Sequence, residues 1–484
     1  FTGTTNYFID YLKTLNESFI EKIQENHLKL IKELNLDIKC IIPIFKNIDN
    51  LVKSINLNKD NYLQNNELIT FGEYLSTTIF YEYTKNFNLN YTLCDSSKFI
   101  KSENSSDTLL NSFFMKGKFY CNDYINSYHE NILICQGFVA SSDDNYKCTL
   151  SRGGSDTTAA LIASKLNSDR LEIWTDVSGV YSANPKIVKK ALPIEYLTYK
   201  EAMELSFFGA KVIYFPTLQP LIEENIPVYI KNTFEPNDNG TCISNSTKLD
   251  KDEIVKGISH IENISILNFE GSGMVGVPGF SKRFFESLST NKINVIMITQ
   301  ASSEFSICIA VDSNDAISAK KVIDKEFEFE ISQNRINQAQ IESNLSNIAI
   351  VGDKMKSKKG VSGRLFNSLG QNNINIRAIA QGASERNISI IIDEANTKKA
   401  LNSLHETFFE ENLKDVHIFI TGVGNVGGYL IEQIKIQKEF IATNLKINLK
   451  VLGISNSKKM LVSESEIDLN NWKTLLANSN ISSD

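Results

Sequence analysis

Thr149-Leu150-Ser151-Arg152-Gly153-Gly154-Ser155-Asp156-Thr157-Thr158-Ala159-Ala160 is the stretch on which the reading of this chain turns. Two glycines let the backbone turn tightly and come close to a ligand. Ser155 or Asp156 caps the helix that follows. That helix is apolar at Ala159, Ile162, Ala163 and Leu166, the i, i+3, i+4, i+7 spacing of a one-sided helix. Behind a glycine loop, a helix N-terminus offers unpaired N–H groups and the positive end of its dipole, which suit an anion. Arg152 adds a planar fork that fits a carboxylate or phosphate at two points. An ordinary glycine-rich turn with a surface Arg has the same residues, so the loop alone leaves the choice open.

Arg-Gly-Gly-Ser-Asp-Thr-Thr-Ala at 152–159 resembles the signature of aspartokinases, within the amino-acid kinase superfamily. Downstream, Trp174-Thr175-Asp176-Val177-Ser178-Gly179-Val180-Tyr181 resembles that family's second signature. The resemblance runs over nearly the whole chain and extends to the layout of the bifunctional aspartokinase–homoserine dehydrogenases. It implies an α/β fold, an amino-acid kinase three-layer sandwich on a mainly parallel sheet. By the same resemblance, Arg152 clamps an aspartate carboxylate, Asp156 orients substrate or outer-shell groups, and the Gly153 and Gly154 amides face phosphates. Thr175, Asp176, Tyr181 and Lys186 hold the nucleotide. The family's Asp-Pro-Arg is here Asn184-Pro185-Lys186, which keeps the charge and loses the two-point fork. Trp174 reads as a core residue.

Bulk properties narrow the class. The 484 residues are enough for several domains, and 42% hydrophobic residues are enough for packed cores. A net charge of −7 argues against a nucleic-acid partner. No apolar run is long enough to span a bilayer, and Phe1 begins no signal-peptide pattern. The 7 cysteines are scattered and lack CxxC spacing, so they read as free thiols in a reducing compartment, the cytoplasm or a plant plastid. The 5 histidines have no paired ligand spacing, so no metal site is assigned. Asn is abundant, a habit of composition without functional weight.

From the N-terminus, Thr5 or Asn6 caps a helix with Phe8, Leu12, Leu15 and Phe19 on one face, and more helix follows to Leu36. Aspartokinases begin with a strand and a Lys-Phe-Gly-Gly-Thr-Ser loop whose Lys is catalytic. That loop is absent, so the chain reads as truncated at its start and without kinase turnover as it stands. Glu67 to Ser76 resembles the family's Gly-Glu segment, whose Glu, here Glu73, contacts the substrate ammonium. Ile132 to Val139 is an apolar run ending a buried parallel strand beside Gly137, and ligands gather beyond the carboxyl ends of such strands. Leu171–Thr175 and 227–232 are further strands. Thr198 and Glu201 fit a capping box on a helix that ends at Gly209. Lys211 lies in a segment resembling one whose Lys reaches nucleotide phosphate. Its usual His-Pro is replaced by Tyr214-Phe215-Pro216.

An internal repeat follows. Gly279-Phe280-Ser281 through Leu288 recurs as Gly360-Val361-Ser362 through Leu369, 81 positions on, and the same offset relates Asn294 to Asn375 and Gln300 to Gln381. Each unit reads strand, helix, strand, strand, helix. The pair resembles ACT regulatory domains, α+β modules of ferredoxin-like type that bind amino acids. Asn294, Gln300, Asn375 and Gln381 are the candidate allosteric residues. A buried Gln amide can serve both a carboxylate and an ammonium, and the same Gln pairing in threonine-regulated relatives points to threonine as effector.

Val416 to Thr421 is a buried-strand run. Gly422-Val423-Gly424-Asn425-Val426-Gly427 follows, and then an apolar helix, the context of a dinucleotide site. The next strand, Leu449 to Ile454, ends in Ser455-Asn456-Ser457-Lys458-Lys459 with no acid to take a ribose hydroxyl; lysine there, Lys458 first, suits the 2′-phosphate of NADP over NAD. This resembles the start of homoserine dehydrogenase as a partial Rossmann unit, stopping at Asp484.

The expected domains are 1–246 for the kinase, 257–333 and 345–412 for the two ACT modules, and 415–484 for the dinucleotide-binding start. The resemblance implies ATP with Mg²⁺ and NADP (or NAD) as cofactors, L-aspartate as substrate and a homo-oligomer, dimer or tetramer, built through the ACT modules. Two rival readings are an amino-acid-binding regulatory fragment without turnover and a lysine-regulated aspartokinase of single function.

Overall fold

A computed structural model describes residues 3–58, 61–87, 91–102, 119–128, 132–142, 145–150, 153–209, 215–245, 253–300, 305–382, 386–410, 414–445 and 447–482. It divides into two units, Phe1–Thr407 and Phe408–Asp484. Four helices open the first unit: α1 (Thr4–Thr14), α2 (Ser18–Glu33), α3 (Ile42–Leu57) and α4 (Tyr62–Thr84). Phe8, Leu12, Ile23, Ile48, Ile55, Leu68 and Leu75 form their shared core. The face predicted from Phe8 to Phe19 exists but is carried by two helices, because Leu15 takes a left-handed conformation that ends α1. The N-cap is Gly3, in place of the expected Thr5 or Asn6.

Six short strands follow, β1 (Tyr91–Cys94), β2 (Ile100–Ser102), β3 (Phe119–Cys121), β4 (Ile132–Cys135), β5 (Val139–Ser141) and β6 (Lys147–Thr149). β1 and β4 pair in parallel, and the others form a sheet in the order β3-β2-β5-β6. The apolar run at 132–139, which reads as one strand, is two. Phe138 at φ 66° turns the chain out of one sheet and into the other. Next come α5 (Gly154–Lys165), β7 (Leu171–Thr175), β8 (Tyr196–Thr198), α6 (Tyr199–Phe207), α7 (Phe215–Glu224), β9 (Val228–Asn232) and β10 (Thr241–Ser244). Their sheet runs β7-β9-β10-β8, parallel except between β9 and β10.

α5 departs from its predicted stripe for a physical reason. Ala160 and Ala163 pack into the core under β7 and β9, while Leu161 and Ile162 pack against the core of Phe99, Ile100 and Cys148. A helix between two cores is apolar on two sides, so one-sided spacing misreads it. Leu166, expected on the buried face, sits at the C-cap, 42% exposed.

Asparagine has a local structural use after all. Asn35, Asn167, Asn225, Asn334 and Asn373 all have positive φ just past a helix end. In each, the Asn N–H and the next N–H return to carbonyls of the last turn, as Leu36 N–H does to Ile31 O at 3.0 Å. This is the Schellman closure with Asn in the place usually held by Gly.

Each repeat has the predicted order. The first is β11 (Gly257–Glu270), α8 (Phe280–Thr290), β12 (Met297–Gln300), β13 (Ser306–Asp312) and α9 (Ala316–Glu326), with a short α10 (Glu328–Ser332). The second is β14 (Gln340–Val351), α11 (Val361–Gln371), β15 (Ile376–Gln381), β16 (Asn387–Asp393) and α12 (Thr397–Phe409). β11 and β14 pair antiparallel, which fuses the repeats into one six-stranded sheet, β12-β13-β11-β14-β16-β15.

The second unit stands by itself. β17 (Lys414–Thr421) leads into α13 (Asn425–Leu445) and the parallel β18 (Ile447–Ser455). An antiparallel β19 (Lys459–Val462), α14 (Trp472–Ala477) and β20 (Ile481–Ser482) complete it. Ile420, Ile431, Val451, Ile454 and Trp472 are its core.

Candidate active site and regulatory cavity

The start of α5 is held by close packing. Gly153 is the N-cap at φ 74°, ahead of the expected caps Ser155 and Asp156, and no side chain caps the helix. A Cβ on Gly154 would lie 2.5 Å from Phe138 Cδ2 and 2.9 Å from Leu150 Cβ, so only glycine fits there. Phe138 N–H donates to Thr158 Oγ1 at 3.0 Å, and Leu150 N–H donates to Phe138 O at 2.9 Å. The chain between β4 and β5 is thereby fastened to the first turns of α5.

α4 is fastened to the same connection. Buried Gln136 donates through Nε2 to Thr77 Oγ1 at 3.0 Å, and Thr77 Oγ1 donates to the Glu73 carbonyl at 2.8 Å. Ser96 N–H donates to Gln136 Oε1 at 3.0 Å. Segment 136–138 therefore sits between the helix that carries Glu73 and the helix start that carries Asp156. Burial holds the carboxyls of both Glu73 and Asp156 above the usual carboxylate range. Among the described residues, no cation forms a salt bridge with either. Arg152 and Lys211 lie outside the described residues.

The turn after β7 is pinned from beneath. Thr241 Oγ1 accepts from Val180 N–H at 2.8 Å and donates to Ile194 O at 2.6 Å, and Asn232 Nδ2 donates to Ser178 Oγ at 3.0 Å. Thr175 Oγ1 donates to Asp176 Oδ1 at 3.1 Å. Tyr181 bridges to Pro193, and Lys186 N–H donates to Asn184 Oδ1 at 3.0 Å while its side chain is exposed. Trp174 corrects the core assignment. Its indole is 45% exposed, with Lys231 Nζ 5.1 Å from the ring centre.

In the second repeat, Gln381 lines a cavity of about 380 Å³ with Met355, Lys356, Lys358, Lys359, Gly360 and the first turn of α11. Gln300 and Gln381 are exposed at the ends of β12 and β15, so the expectation of buried amides fails. Asn294 and Asn375 are exposed, and Asn375 is not part of the cavity wall. The lysines of that wall escape a sequence reading because their counterparts in the first repeat are Val275, Val277 and Pro278, so the repeat pattern hides them.

In the second unit, Gly422 at φ 88° begins the turn, and a Cβ on Gly427 would lie 2.4 Å from Gly422 O. That is the close approach of helix to strand that the third glycine of a dinucleotide loop permits. Gly424 on the turn and Asn425 and Val426 in the first turn of α13 are exposed. Lys458 is exposed beyond β18, whereas Lys459 donates to the Ala477 carbonyl.

The amino acid kinase family profile matches residues 12–232, and an ACT domain profile matches 267–327 and again 348–408. "Aspartokinase 1, chloroplastic" of Arabidopsis thaliana is 31% identical over 405 residues, which are 82% of this chain and 70% of that protein. This chain belongs to the aspartokinase family. It is also 41% identical over 362 residues to a bifunctional aspartokinase/homoserine dehydrogenase of Haemophilus influenzae, across 75% of this chain and 44% of the relative. The chain thus spans less than half of that relative's length. E. coli aspartokinase III, crystallised with aspartate and ADP, has the same fold at a TM-score of 0.68 and 25% identity, over 84% of this chain and 91% of that one. Among the described residues, no helix is long and apolar enough to cross a membrane.

Proposed function

We propose that this chain carries the L-aspartate and ATP sites of an enzyme that transfers the γ-phosphoryl group of ATP to the aspartate side-chain carboxylate, giving 4-aspartyl phosphate and ADP. The observation that carries the reading is the pair Glu73 and Asp156, two half-buried carboxyls on helices fastened through residues 136–138 to one glycine-cradled helix start. A half-buried carboxylate is favoured by a counter-charge, and the substrate ammonium supplies one to Glu73. Asp156 orients the substrate, and Arg152 holds a substrate carboxylate. A side-chain carboxylate oxygen of the substrate displaces ADP from the γ-phosphorus. The amides of Gly153 and Gly154 and the amines of Lys186 and Lys211 face the phosphates, and Thr175, Asp176 and Tyr181 hold the nucleotide. Mg²⁺ bound with ATP offsets phosphate charge.

The domain limits proposed are 1–246, 257–333, 345–412 and 415–484. Threonine is the proposed effector, read by Gln381 in the cavity and by Gln300 at the matching place in the first repeat. Assembly is as a dimer or tetramer through the repeats. The second unit is proposed as the start of an NADP-dependent homoserine dehydrogenase, with Gly422–Gly427 under the pyrophosphate and Lys458 on the 2′-phosphate. The close fit at Gly427 supports a dinucleotide there. The proposed location is the cytoplasm, or the plastid in a plant.

Titration calorimetry tests the aspartate site. Losing a hydrogen bond to a charged group costs about 1.5–3 kcal/mol, so Glu73→Gln is expected to weaken L-aspartate roughly 10- to 150-fold. Coupled ADP release measures turnover alongside. Wild-type aspartate affinity in Glu73→Gln would overturn the assignment, as would a wild-type protein that takes up no aspartate.

A further inference from the structure

We propose that His405, in the second repeat, is a positioning residue for the nucleotide side of the kinase site. It acts through Ser182, which follows Tyr181 directly in the turn that reaches Lys186. His405 Nε2 lies 2.9 Å from Ser182 Oγ, across 223 residues of sequence. Ser182 is 2% exposed and His405 1%.

Ser182 is a node with every polar group used. Its N–H donates to Leu192 O at 2.8 Å, its Oγ accepts from Leu192 N–H at 2.8 Å, and its carbonyl accepts from Ile258 N–H at 2.8 Å. These bonds close residues 182–192 into a loop and tie it to β11. Leu192 N–H takes one lone pair of Oγ, and the hydroxyl proton and the second lone pair remain to share a hydrogen bond with His405 Nε2 in either ring tautomer. The ring is thereby the outer fixing point of the loop that displays Tyr181 and Lys186.

The turn of α12 that carries His405 is bonded to α11. Ser368 Oγ on α11 donates to Ser403 O at 3.3 Å, Thr407 Oγ1 donates to Ser368 Oγ at 2.9 Å, and Arg364 donates to Thr407 O. The first turn of α11, at Val361, Ser362 and Gly363, is cavity wall. A shift of α11 on filling that cavity therefore moves α12, and with it the imidazole under the nucleotide turn.

The test has two arms. Hydrogen exchange of peptides covering residues 178–193 in the ligand-free protein reports the loop without assuming any ligand. Removing one partner of a buried hydrogen bond leaves the other unsatisfied, so His405→Leu is expected to speed exchange in that segment roughly 5- to 150-fold. His405→Gln, whose amide offers both a donor and an acceptor toward Ser182 Oγ, restores protection. Ser182→Ala, a smaller change, reproduces the loss from the other side. The second arm rests on the proposed kinase function and titrates ADP with Mg²⁺, and separately L-aspartate. His405→Leu weakens ADP and leaves aspartate unchanged, a split that general destabilisation would not give. Unchanged exchange at 178–193 in both His405→Leu and Ser182→Ala overturns the inference, and so does equal acceleration in every peptide. If the wild-type protein takes up no ADP, the kinase reading fails while the exchange arm still decides the positioning role.

Discussion

Replacing Glu201 by Gln strikes two joints with one atom. The Glu201 side chain is buried, with the residue 2% exposed. Its Oε2 accepts from Thr198 N–H at 2.9 Å while Thr198 Oγ1 accepts from Glu201 N–H at 3.1 Å, closing the capping box of α6. Its Oε1 accepts from Asp353 N–H at 2.9 Å, which fastens α6 to the loop after β14. Asp353 adds two bonds of its own, accepting from Thr198 Oγ1 at 2.8 Å and from Arg386 Nε at 2.7 Å. An amide has one oxygen, so in Glu201→Gln the new side chain would serve the cap or the joint, and its NH₂ would face an N–H at the other. The loss is one charge-assisted hydrogen bond, about 1.5–3 kcal/mol, or roughly a 10- to 150-fold rise in local opening. Exchange of peptides covering 196–207 and 350–356 reads this directly. One of the two is expected to lose protection by that factor while α3 and α13 keep theirs. Wild-type exchange in both peptides would show that the carboxylate is dispensable and that the joint is held elsewhere.

Asp156→Asn tests the desolvated acid by its pH dependence. Burial raises the folded carboxyl above its unfolded value, so the protonated form favours folding. That contribution is whole below the unfolded carboxylate range and is lost as pH rises through the elevated folded value. Asp156→Asn is therefore expected to raise the melting temperature at neutral pH and to bring no gain in acid; a lower melting temperature at neutral pH refutes it. Gln381→Ala is expected to weaken threonine roughly 10- to 150-fold by calorimetry, and Gln300→Ala to do the same at the first repeat; wild-type binding in both variants refutes the effector assignment. Lys458→Ala, in a chain extended to complete the dinucleotide domain, is expected to cost NADPH about 1.5–3 kcal/mol and NADH nothing; equal affinities before substitution count against it.

Much of the chain was legible because local chemistry decided it. The Thr198–Glu201 capping box, the Gly209 helix stop, the two βαββα repeats and the strand–glycine loop–helix of the second unit each follow from spacing within a few residues. What escaped was set by distant partners. The run at 132–139 reads as one strand unless Phe138 is known to be turned by its packing on Gly154. α5 reads as one-sided because nothing local says that a second core lies behind Leu161 and Ile162. Trp174 reads as core because an indole usually is, and only the finished sheet leaves it at an exposed edge. In the candidate site, Glu73 and Asp156 are legible by resemblance, whereas the bonds through Gln136 and Thr77 that fix α4, and through Phe138 and Thr158 that fix α5, join residues far apart in sequence. Lys356, Lys358 and Lys359 stood in plain sight, but the repeat drew attention to what the two copies share and away from where they differ.

The tie between Ser182 and His405 also bears on how the chain is made. At roughly 5–20 residues per second, the 223 positions that separate them take about 10–45 s to emerge from the ribosome. The first half of β11, at Gly257–Ile261, likewise waits for its partners at Asn347–Val351. Through that interval the nascent first region has its own core and the Thr241 and Asn232 bonds under the turn after β7, but lacks the outer tie of Ser182 to His405. Completion of that turn is therefore a late step in biosynthesis, set by the arrival of the second repeat.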